Sequence, residues 1–525
     1  MSNNTATAYK EIKRGSVISA ISTVFGICST LLVTPYVLRM IGDGDYGIYQ
    51  MVAPILASLY TLNFGLSNSV VRFLAKYRSA NDKKNEEKLL GMMMIVFAII
   101  AFVAVSIGTL CFFLLPKFFS ELSAEELFKA RVMFAIMVIN MGLVLISQIY
   151  PSIMTAYEKF TTLHSMGLAK NVFTPIFKVV LLHFGVGVFS LVISEFVFNV
   201  IYQLVIMLCC KVKLKVRFVF NGFDMGLLRE LFVFSSFIFL GTIADLLYWQ
   251  VDKVIVGIVI SNDAVTPLSI GNHFAEYFIK IATIISGMLM MRVMTLVINK
   301  ANGTQLTNAM IKLGRIQLLV LGLIYCGYII VGRQFLNYYY SSGTEHTRNV
   351  AFIIGLMLLT SLIIPEIEIL GLSILQAKNM HRFRAVMYII IAAVNAIVTI
   401  PLTMKLGVIG ATIGTVGALF CGQIVIMNWY YKNKVGIDIW RFFKEVSHGV
   451  LPIILATVAI CSLTFFINIS SLPMLILRAV IVLVVYAALQ WLFGMNAFEK
   501  QLASEMFGKI TTIFKKLFKR TAETR

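Results

Sequence analysis

Long apolar segments, separated by short polar connections, follow one another along the whole chain. A transmembrane helix needs about 20 mostly apolar residues. Fourteen segments meet this length, and they lie at roughly 16–41, 47–71, 89–116, 131–157, 161–183, 185–210, 231–260, 267–296, 311–333, 350–376, 383–404, 408–431, 446–468 and 472–494. The first segment is too long for the apolar core of a cleavable signal peptide. The pattern therefore predicts an all-α, polytopic membrane protein with 14 transmembrane helices.

Positive charges are distributed unevenly between these segments. The chain carries 45 Lys and Arg residues against 25 Asp and Glu, a formal net charge of +20. If the N-terminus is cytoplasmic, 33 of the 45 cations fall in inner connections and termini, 8 in outer connections and 4 within spans. This is the positive-inside pattern. It predicts that both termini face the cytoplasm, and it explains the basic character without nucleic acid as a partner.

Composition excludes a water-soluble enzyme. Of the residues, 59% are hydrophobic and 13% charged, and the mean hydropathy is +0.87, whereas about a quarter of a soluble protein is charged. No GxxxxGK[ST] motif for ATP phosphates occurs, and the seven cysteines lack metal-site spacing. We expect no cofactor, and transport would draw on a gradient of H⁺ or Na⁺.

The two halves of the chain resemble each other weakly at an offset near 221 residues. Ser152–Ala156 matches Ser373–Ala377, and Gln203–Met207 matches Gln423–Met427. A repeat of six spans preserves orientation, so the halves would be parallel six-helix bundles. The predicted regions are an N-lobe over 1–215, a C-lobe over 216–435, two extra C-terminal helices over 436–496 and a cytoplasmic amphipathic basic tail over 497–525.

Short motifs also occur in a characteristic order. They are Gly15, Thr34-Pro35, Ile41-Gly42, Tyr46-Gly47-Ile48-Tyr49, Asn63-Phe64-Gly65-Leu66, Arg72-Phe73, Asp252-Lys253-Val254-Ile255-Val256-Gly257, Asn395 and Leu406-Gly407-Val408-Ile409-Gly410-Ala411. With the spans and the repeat, this order resembles the polysaccharide/oligosaccharide (O-antigen-type) flippase family of the multidrug/oligosaccharidyl-lipid/polysaccharide exporter superfamily. The eighth span departs from the family pattern, with Asn272-His273-Phe274 after Gly271 and Met291-Arg292 where a Pro is common.

The resemblance implies a transporter rather than an enzyme. Such proteins move a polyprenyl-diphosphate-linked oligosaccharide from the inner to the outer face of the bacterial plasma membrane, by alternating access between the two lobes. The implied partners are this lipid-linked oligosaccharide, membrane lipids and the polysaccharide synthesis machinery. Coupling to a cation gradient would supply the energy.

Ionisable residues inside the spans are the candidate site residues, because they are costly in a membrane. Candidates for binding the diphosphate are Lys170, Lys178, Lys253 and Lys280. Candidates for cation coupling are Asp245, Asp252, Glu195 and Glu276, and Trp249 is the candidate for stacking on a sugar. The spacing of Asp245, Trp249 and Asp252 puts them on one face of a continuous helix.

Each candidate has a structural alternative. Lys170 can extend to the membrane surface, and Glu276 precedes Lys280 by four residues, the favourable order for a helical ion pair. Asp252 and Lys253 can compensate each other. Glu195 has no partner on its own helix, so another helix must supply one unless it is protonated.

Two other functions remain open. A drug/cation antiporter of the same superfamily predicts acidic rather than basic groups in its cavity. A membrane glycosyltransferase or polysaccharide polymerase typically needs a sizeable outer loop for the acceptor, and the predicted outer connections are short.

Overall fold

The computed structural model describes residues 3–119, 122–221, 223–298, 302–378, 380–466 and 471–505. These residues form helices and their connections, with no β-strand among them. Large apolar side chains such as Leu32, Phe102 and Phe466 are more than 70% exposed, as expected of helices that face lipid. The prediction of an all-α membrane protein is confirmed.

The helices are numbered here in chain order. They are α1 Asn3–Tyr60, α2 Leu66–Ser79, α3 Lys83–Phe118, α4 Ala124–Ser147, α5 Ile149–Ala156, α6 Phe160–His183, α7 Phe189–Leu208, α8 Met225–Trp249, α9 Val251–Val259, α10 Asn262–Ile298, α11 Gly303–Tyr339, α12 Glu345–Ile367, α13 Ile369–Ala377, α14 His381–Leu406, α15 Val408–Leu419, α16 Met427–Tyr430, α17 Ile439–Ser447, α18 Val450–Ser462, α19 Leu472–Leu489 and α20, residues 497–505.

Ten helices in the described residues are long and apolar enough to cross a membrane, and a bent pair, Ile439–Ser447 with Val450–Phe466, adds an eleventh. The first of them, Val17–Ser79, covers two predicted spans. The chain bends at Gly42, whose φ of 78° is in the left-handed region that favours glycine. Helices α8 to α10 occupy the seventh and eighth predicted spans without passing the same test. The count of fourteen therefore stays a prediction.

The chain divides into two compact units. The first contains the residues up to Tyr277, Asn337–Leu358 and His381–Gly422, and the second contains Phe278–Leu336, Leu359–Met380 and the residues from Gln423 onward. Each unit groups residues that pack densely together. The units do not test the predicted lobe boundaries, which stay a prediction. Of the predicted basic tail, 497–505 is helical and 506–525 lies outside the described residues.

In the first unit, α1 packs along α6, α3 along α4, and α14 against α8 and α15. Where α2, α3 and α5 meet, their apolar faces form a core that includes the fully buried Leu74, Leu90, Phe97 and Ile153. Burying such a side chain stabilises the fold by about 1.5–3 kcal/mol. Leu163 of α6 and Tyr202 of α7 pack against this core.

In the second unit, the buried Arg315 of α11 joins three segments. Its Nε donates to Glu499 Oε1 at 2.6 Å, and its terminal nitrogens donate to the carbonyl oxygens of Glu445, His448 and Gly494. A further bond to Glu499 Oε2 at 3.2 Å uses the fifth N–H donor of the guanidinium. The start of α20 and the turn between α17 and α18 are thereby fixed to α11.

Candidate functional site

A charged face of α6 meets a charged face of α7 in the first unit. Lys170 Nζ donates to Asn199 Oδ1 at 2.6 Å and lies 3.6 Å from Glu195 Oε2. Glu195 and Asn199 are four residues apart and so share one face of α7. Asn199 Nδ2 in turn donates to Asn140 Oδ1 of α4 at 3.2 Å. We call Lys170, Glu195, Asn199 and Asn140 the lysine–glutamate cluster.

Lys178 lies about two helical turns further along α6 than Lys170. Glu195 is the one carboxylate on the facing helix α7, and it lies within ion-pair distance of Lys170. The side chains of Lys170 and Glu195 are 26% and 42% exposed, so the cluster is open at its surface. Glu195 has no partner on its own helix, and its partner is Lys170 of α6. Lys178 places a second lysine on the same helix, α6.

A second polar group surrounds Asp252 at the start of α9. Asp252 is buried, and the Thr415 hydroxyl of α15 donates to its Oδ2. Asn395 Nδ2 donates to Thr415 Oγ1 at 3.3 Å, and Thr399 donates to Asn395 Oδ1 at 3.3 Å. We call these four residues the aspartate–threonine cluster. Each group in this chain donates to the next, from Thr399 through Asn395 and Thr415 to the carboxylate of Asp252.

Close approach of α14 and α15 makes this chain possible. A Cβ atom at Gly414 would lie 2.7 Å from Thr399 Oγ1 and 3.1 Å from Asn395 Oδ1. A Cβ atom at Gly410 would lie 2.1 Å from the carbonyl oxygen of Leu402. Glycines on α15 thus allow the two helices to touch through their backbones, as small residues do between membrane helices.

Lys253, next to Asp252, is also buried but has different neighbours. Its Nζ lies 3.4 Å from Gln50 Oε1 of α1, and Gln50 Nε2 donates to the Tyr46 hydroxyl at 2.9 Å. Glu276 of α10 contributes an opposite charge. Asp252 and Lys253 therefore do not depend on each other alone for compensation, because each has partners on other helices.

The structure corrects one part of the predicted geometry. A turn at Gln250 interrupts the predicted continuous helix, so Asp245 and Trp249 lie on α8 while Asp252 begins α9. Asp245 accepts a hydrogen bond from Tyr388, which does not belong to the aspartate–threonine cluster. Residues spaced by four and seven share one face only along a continuous helix. Because the helix is interrupted at Gln250, the spacing does not place Asp252 on the face of Asp245 and Trp249.

The other predicted residues are less enclosed. Trp249 is half-buried, and its ring lies beside that of Tyr248. Glu276 is half-buried on α10 in the first unit. Lys280 is exposed on the continuation of α10 in the second unit.

The sequence analysis did not predict the uncharged polar residues of the two clusters, because only ionisable residues stand out as costly within the spans. They are Asn140, Asn199, Thr399 and Thr415. A signal was present, because Glu195 and Asn199, like Asn395 and Thr399, repeat polar side chains at a spacing of four within apolar spans. Such spacing marks a polar stripe on one helix face.

Comparison with known proteins agrees with the fold. A family model described as "Polysaccharide biosynthesis protein" matches residues 12–297, more than half of the 525 residues. No curated protein matches the chain. Two solved structures, each with 1.00 probability, share its architecture: lipid II flippase MurJ in an inward closed conformation (TM-score 0.68, 15% identity, 91% of this chain and 97% of that chain) and an inward-facing multidrug resistance MATE family transporter of the MOP superfamily (TM-score 0.64, 13% identity, 80% and 98%). At these identities the similarity concerns the fold.

Proposed function

Because the chain belongs to the polysaccharide biosynthesis protein family, we propose that it is a flippase for a polyprenyl-diphosphate-linked oligosaccharide used in surface polysaccharide biosynthesis. It would act by alternating access in the bacterial plasma (inner) membrane, with both termini in the cytoplasm. The fold shared with a lipid II flippase and a multidrug transporter supports a transport role rather than an enzymatic one. The synthesis machinery would supply the lipid-linked substrate.

The lysine–glutamate cluster, with Lys178 beside it, is the observation that carries this proposal. Lys170 and Lys178 both lie on α6, and Glu195 is the one carboxylate of the facing helix α7, so this region has more lysines than carboxylates to offer an anionic headgroup. Lysine binds phosphate as a point charge. The amides of Asn140 and Asn199 add hydrogen-bonding capacity beside that charge. The polyprenyl tail can stay in lipid, because only the headgroup needs a polar path.

Lys253, Lys280 and Trp249 are further candidates along the substrate path. Lys253 is held by Gln50, and its flexible stem allows it to turn toward a phosphate. Trp249 offers an aromatic face to a sugar. These roles are proposals that rest on position and residue type.

Cation coupling is assigned to the aspartate–threonine cluster. A buried carboxylate inside a membrane bundle is costly unless it binds a proton or a cation or is paired. The carboxylate of Asp252 and the hydroxyl oxygen of Thr415 beside it are oxygen donors of the kind that hard cations prefer. Binding of H⁺ or Na⁺ there would bias the alternation between inward and outward states. Asp245, Glu195 and Glu276 are the other candidate carboxylates.

Deletion of the gene followed by complementation tests this function. Loss of the protein is expected to abolish surface polysaccharide and to accumulate lipid-linked oligosaccharide on the inner leaflet. Complementation with a Lys170→Met/Lys178→Met double variant is expected to fail, while Lys129→Met restores export, because Lys129 is paired with Asp45 and Glu125. Export by the double variant would contradict the cationic site.

The same strains separate the alternatives. A drug/cation antiporter would show reduced drug efflux on deletion with no glycan phenotype. A glycosyltransferase or polymerase would show altered chain lengths in purified vesicles. Neither effect is expected here.

A further inference from the structure

The connection between α7 and α8 carries a dense group of exposed cations. Residues 211–221 and 223–225, which we call the strap, include Lys211, Lys213, Lys215 and Arg217, all exposed. No carboxylate occurs between Glu195 and Asp224. Among the residues that the structure describes, none of the four cations forms an ion pair. The strap therefore presents positive charge that no carboxylate in the described part of the chain neutralises.

Apolar contacts fix the strap in place. Leu214, Val216 and Phe218 pack against the core of α2, α3 and α5. The Val219 amide donates to the Glu87 carbonyl oxygen of α3 at 3.1 Å. Further along α3, a Cβ atom at Gly91 would lie 2.0 Å from the Val219 carbonyl oxygen. The strap is thus bound to the protein on one side, and its four cations stay on the other.

The backbone at Lys215 has an uncommon conformation. Its φ of 51° lies in the left-handed region, where α7 ends and the chain turns away. Glycine or asparagine normally occupies such a position, because other residues are strained there. A lysine at this site retains a strained backbone and adds a cation.

Exposed apolar side chains accompany the cations. Val212 and Met225 are 69% exposed, and Phe220 and Phe223 are 59% and 46% exposed. Cations interleaved with exposed aromatic and aliphatic groups are typical of surfaces that lie in a membrane interface, where apolar groups enter the acyl boundary and cations meet headgroups.

We propose that the strap is a binding surface for anionic phospholipid headgroups at the membrane surface. The strap joins α7 to α8, which are the sixth and seventh spans, so it connects the two predicted halves. Bound anionic lipid would hold this connection at the membrane surface. Lipid binding at the strap is independent of the transported substrate and can be measured without it.

Native mass spectrometry of the full-length protein in detergent tests the proposal with two probes, phosphatidylglycerol and phosphatidylcholine. The wild type is expected to retain phosphatidylglycerol preferentially, and high salt should abolish the preference because screening weakens exposed charges. Lys213→Gln/Lys215→Gln should weaken phosphatidylglycerol binding by roughly 30-fold. Inorganic phosphate should not compete, since it lacks the acyl chains.

Two further variants separate binding from folding. Lys83→Gln/Lys84→Gln removes two exposed cations at the start of α3 and should leave binding unchanged. Lys215→Gly should bind phosphatidylglycerol about fivefold more weakly while its melting temperature stays the same or rises, because glycine relieves the left-handed backbone. Weaker binding in a protein of undiminished stability is the signature of a lipid contact.

Equal retention of the two lipids by the wild type would overturn the proposal. Unchanged phosphatidylglycerol binding in the strap variants would overturn it as well. If those variants also lost polysaccharide export, the strap would instead be a surface for an acidic protein partner.

Discussion

Lys170 Nζ lies 3.6 Å from Glu195 Oε2, and these two charges belong to different helices. Because Asn199 holds the same ammonium at 2.6 Å, Lys170 has a fixed position independent of Glu195. A substrate diphosphate can therefore compete with Glu195 for Lys170 without the lysine losing its support.

An exchange of the two charges separates a substrate contact from a structural ion pair. Lys170→Met should reduce export by about tenfold or more, the equivalent of a lost charged hydrogen bond. If Lys170 contacts the diphosphate, the exchange Lys170→Glu/Glu195→Lys should not restore export, since the charge then sits on the wrong helix. Recovery of export in a flux assay on proteoliposomes would show that the pair is only structural.

Because the Thr415 hydroxyl donates to Asp252, substitution of either residue is expected to impair cation coupling. Thr415→Val removes the donor and keeps the volume, and Asp252→Asn removes the charge. Both should reduce the dependence of transport on a Na⁺ or H⁺ gradient, while binding of the lipid-linked substrate is retained. Thr23→Val is a matched control, because the Thr23 hydroxyl donates to the carbonyl oxygen of Ser19 on its own helix. Gradient-driven transport that is normal in Asp252→Asn would exclude this cluster from coupling.

The buried pair between Arg315 and Glu499 predicts a large effect on stability. Glu499→Gln leaves the guanidinium without its carboxylate, and breaking a buried pair destabilises by about 3–5 kcal/mol. The partly exposed pair of Arg441 and Glu445 is the control, with an expected change of about 0–1 kcal/mol for Glu445→Gln. Thermal unfolding of the purified proteins measures both. Equal melting temperatures for the two variants would contradict the structural role of Arg315.

Two glycines predict opposite outcomes for the same substitution. A Cβ atom at Gly47 would lie 2.2 Å from the carbonyl oxygen of Asn262, so Gly47→Ala must push α10 away from α1 and should destabilise by about 1–3 kcal/mol. Nothing lies within 4 Å of a Cβ atom at Gly167 on α6. Gly167→Ala should therefore be neutral or stabilise by about 0.5–1 kcal/mol. A melting temperature that falls for Gly167→Ala and not for Gly47→Ala would refute this packing.

Much of the fold was predictable because the membrane imposes length and polarity on each helix. Backbone groups in lipid must be hydrogen-bonded within a helix, so apolar runs of about 20 residues predict membrane helices. The break at Gln250 was not predictable, since no proline or glycine marks it. The bend at Gly42 falls at a glycine between two predicted spans, which the sequence did indicate.

Part of the candidate site was visible in the same way. Charges such as Lys170 and Glu195 stand out within apolar spans. The roles of Asn140 and Thr415 were not visible, because an uncharged polar residue in a span often bonds only to its own backbone. Their partners lie on helices that are distant in sequence.

By itself, the sequence determined that this protein is helical, spans the membrane many times and carries a few charges inside the spans. These properties follow from the free energy of transferring each segment from water into lipid, which depends on that segment alone. Only the tertiary structure decided that Lys170 meets Glu195, that Asp252 ends a chain of hydroxyl and amide groups, and that the strap lies over α3 with its cations exposed. Such pairings depend on which helix faces pack together, and that choice is made by contacts between residues far apart in the chain.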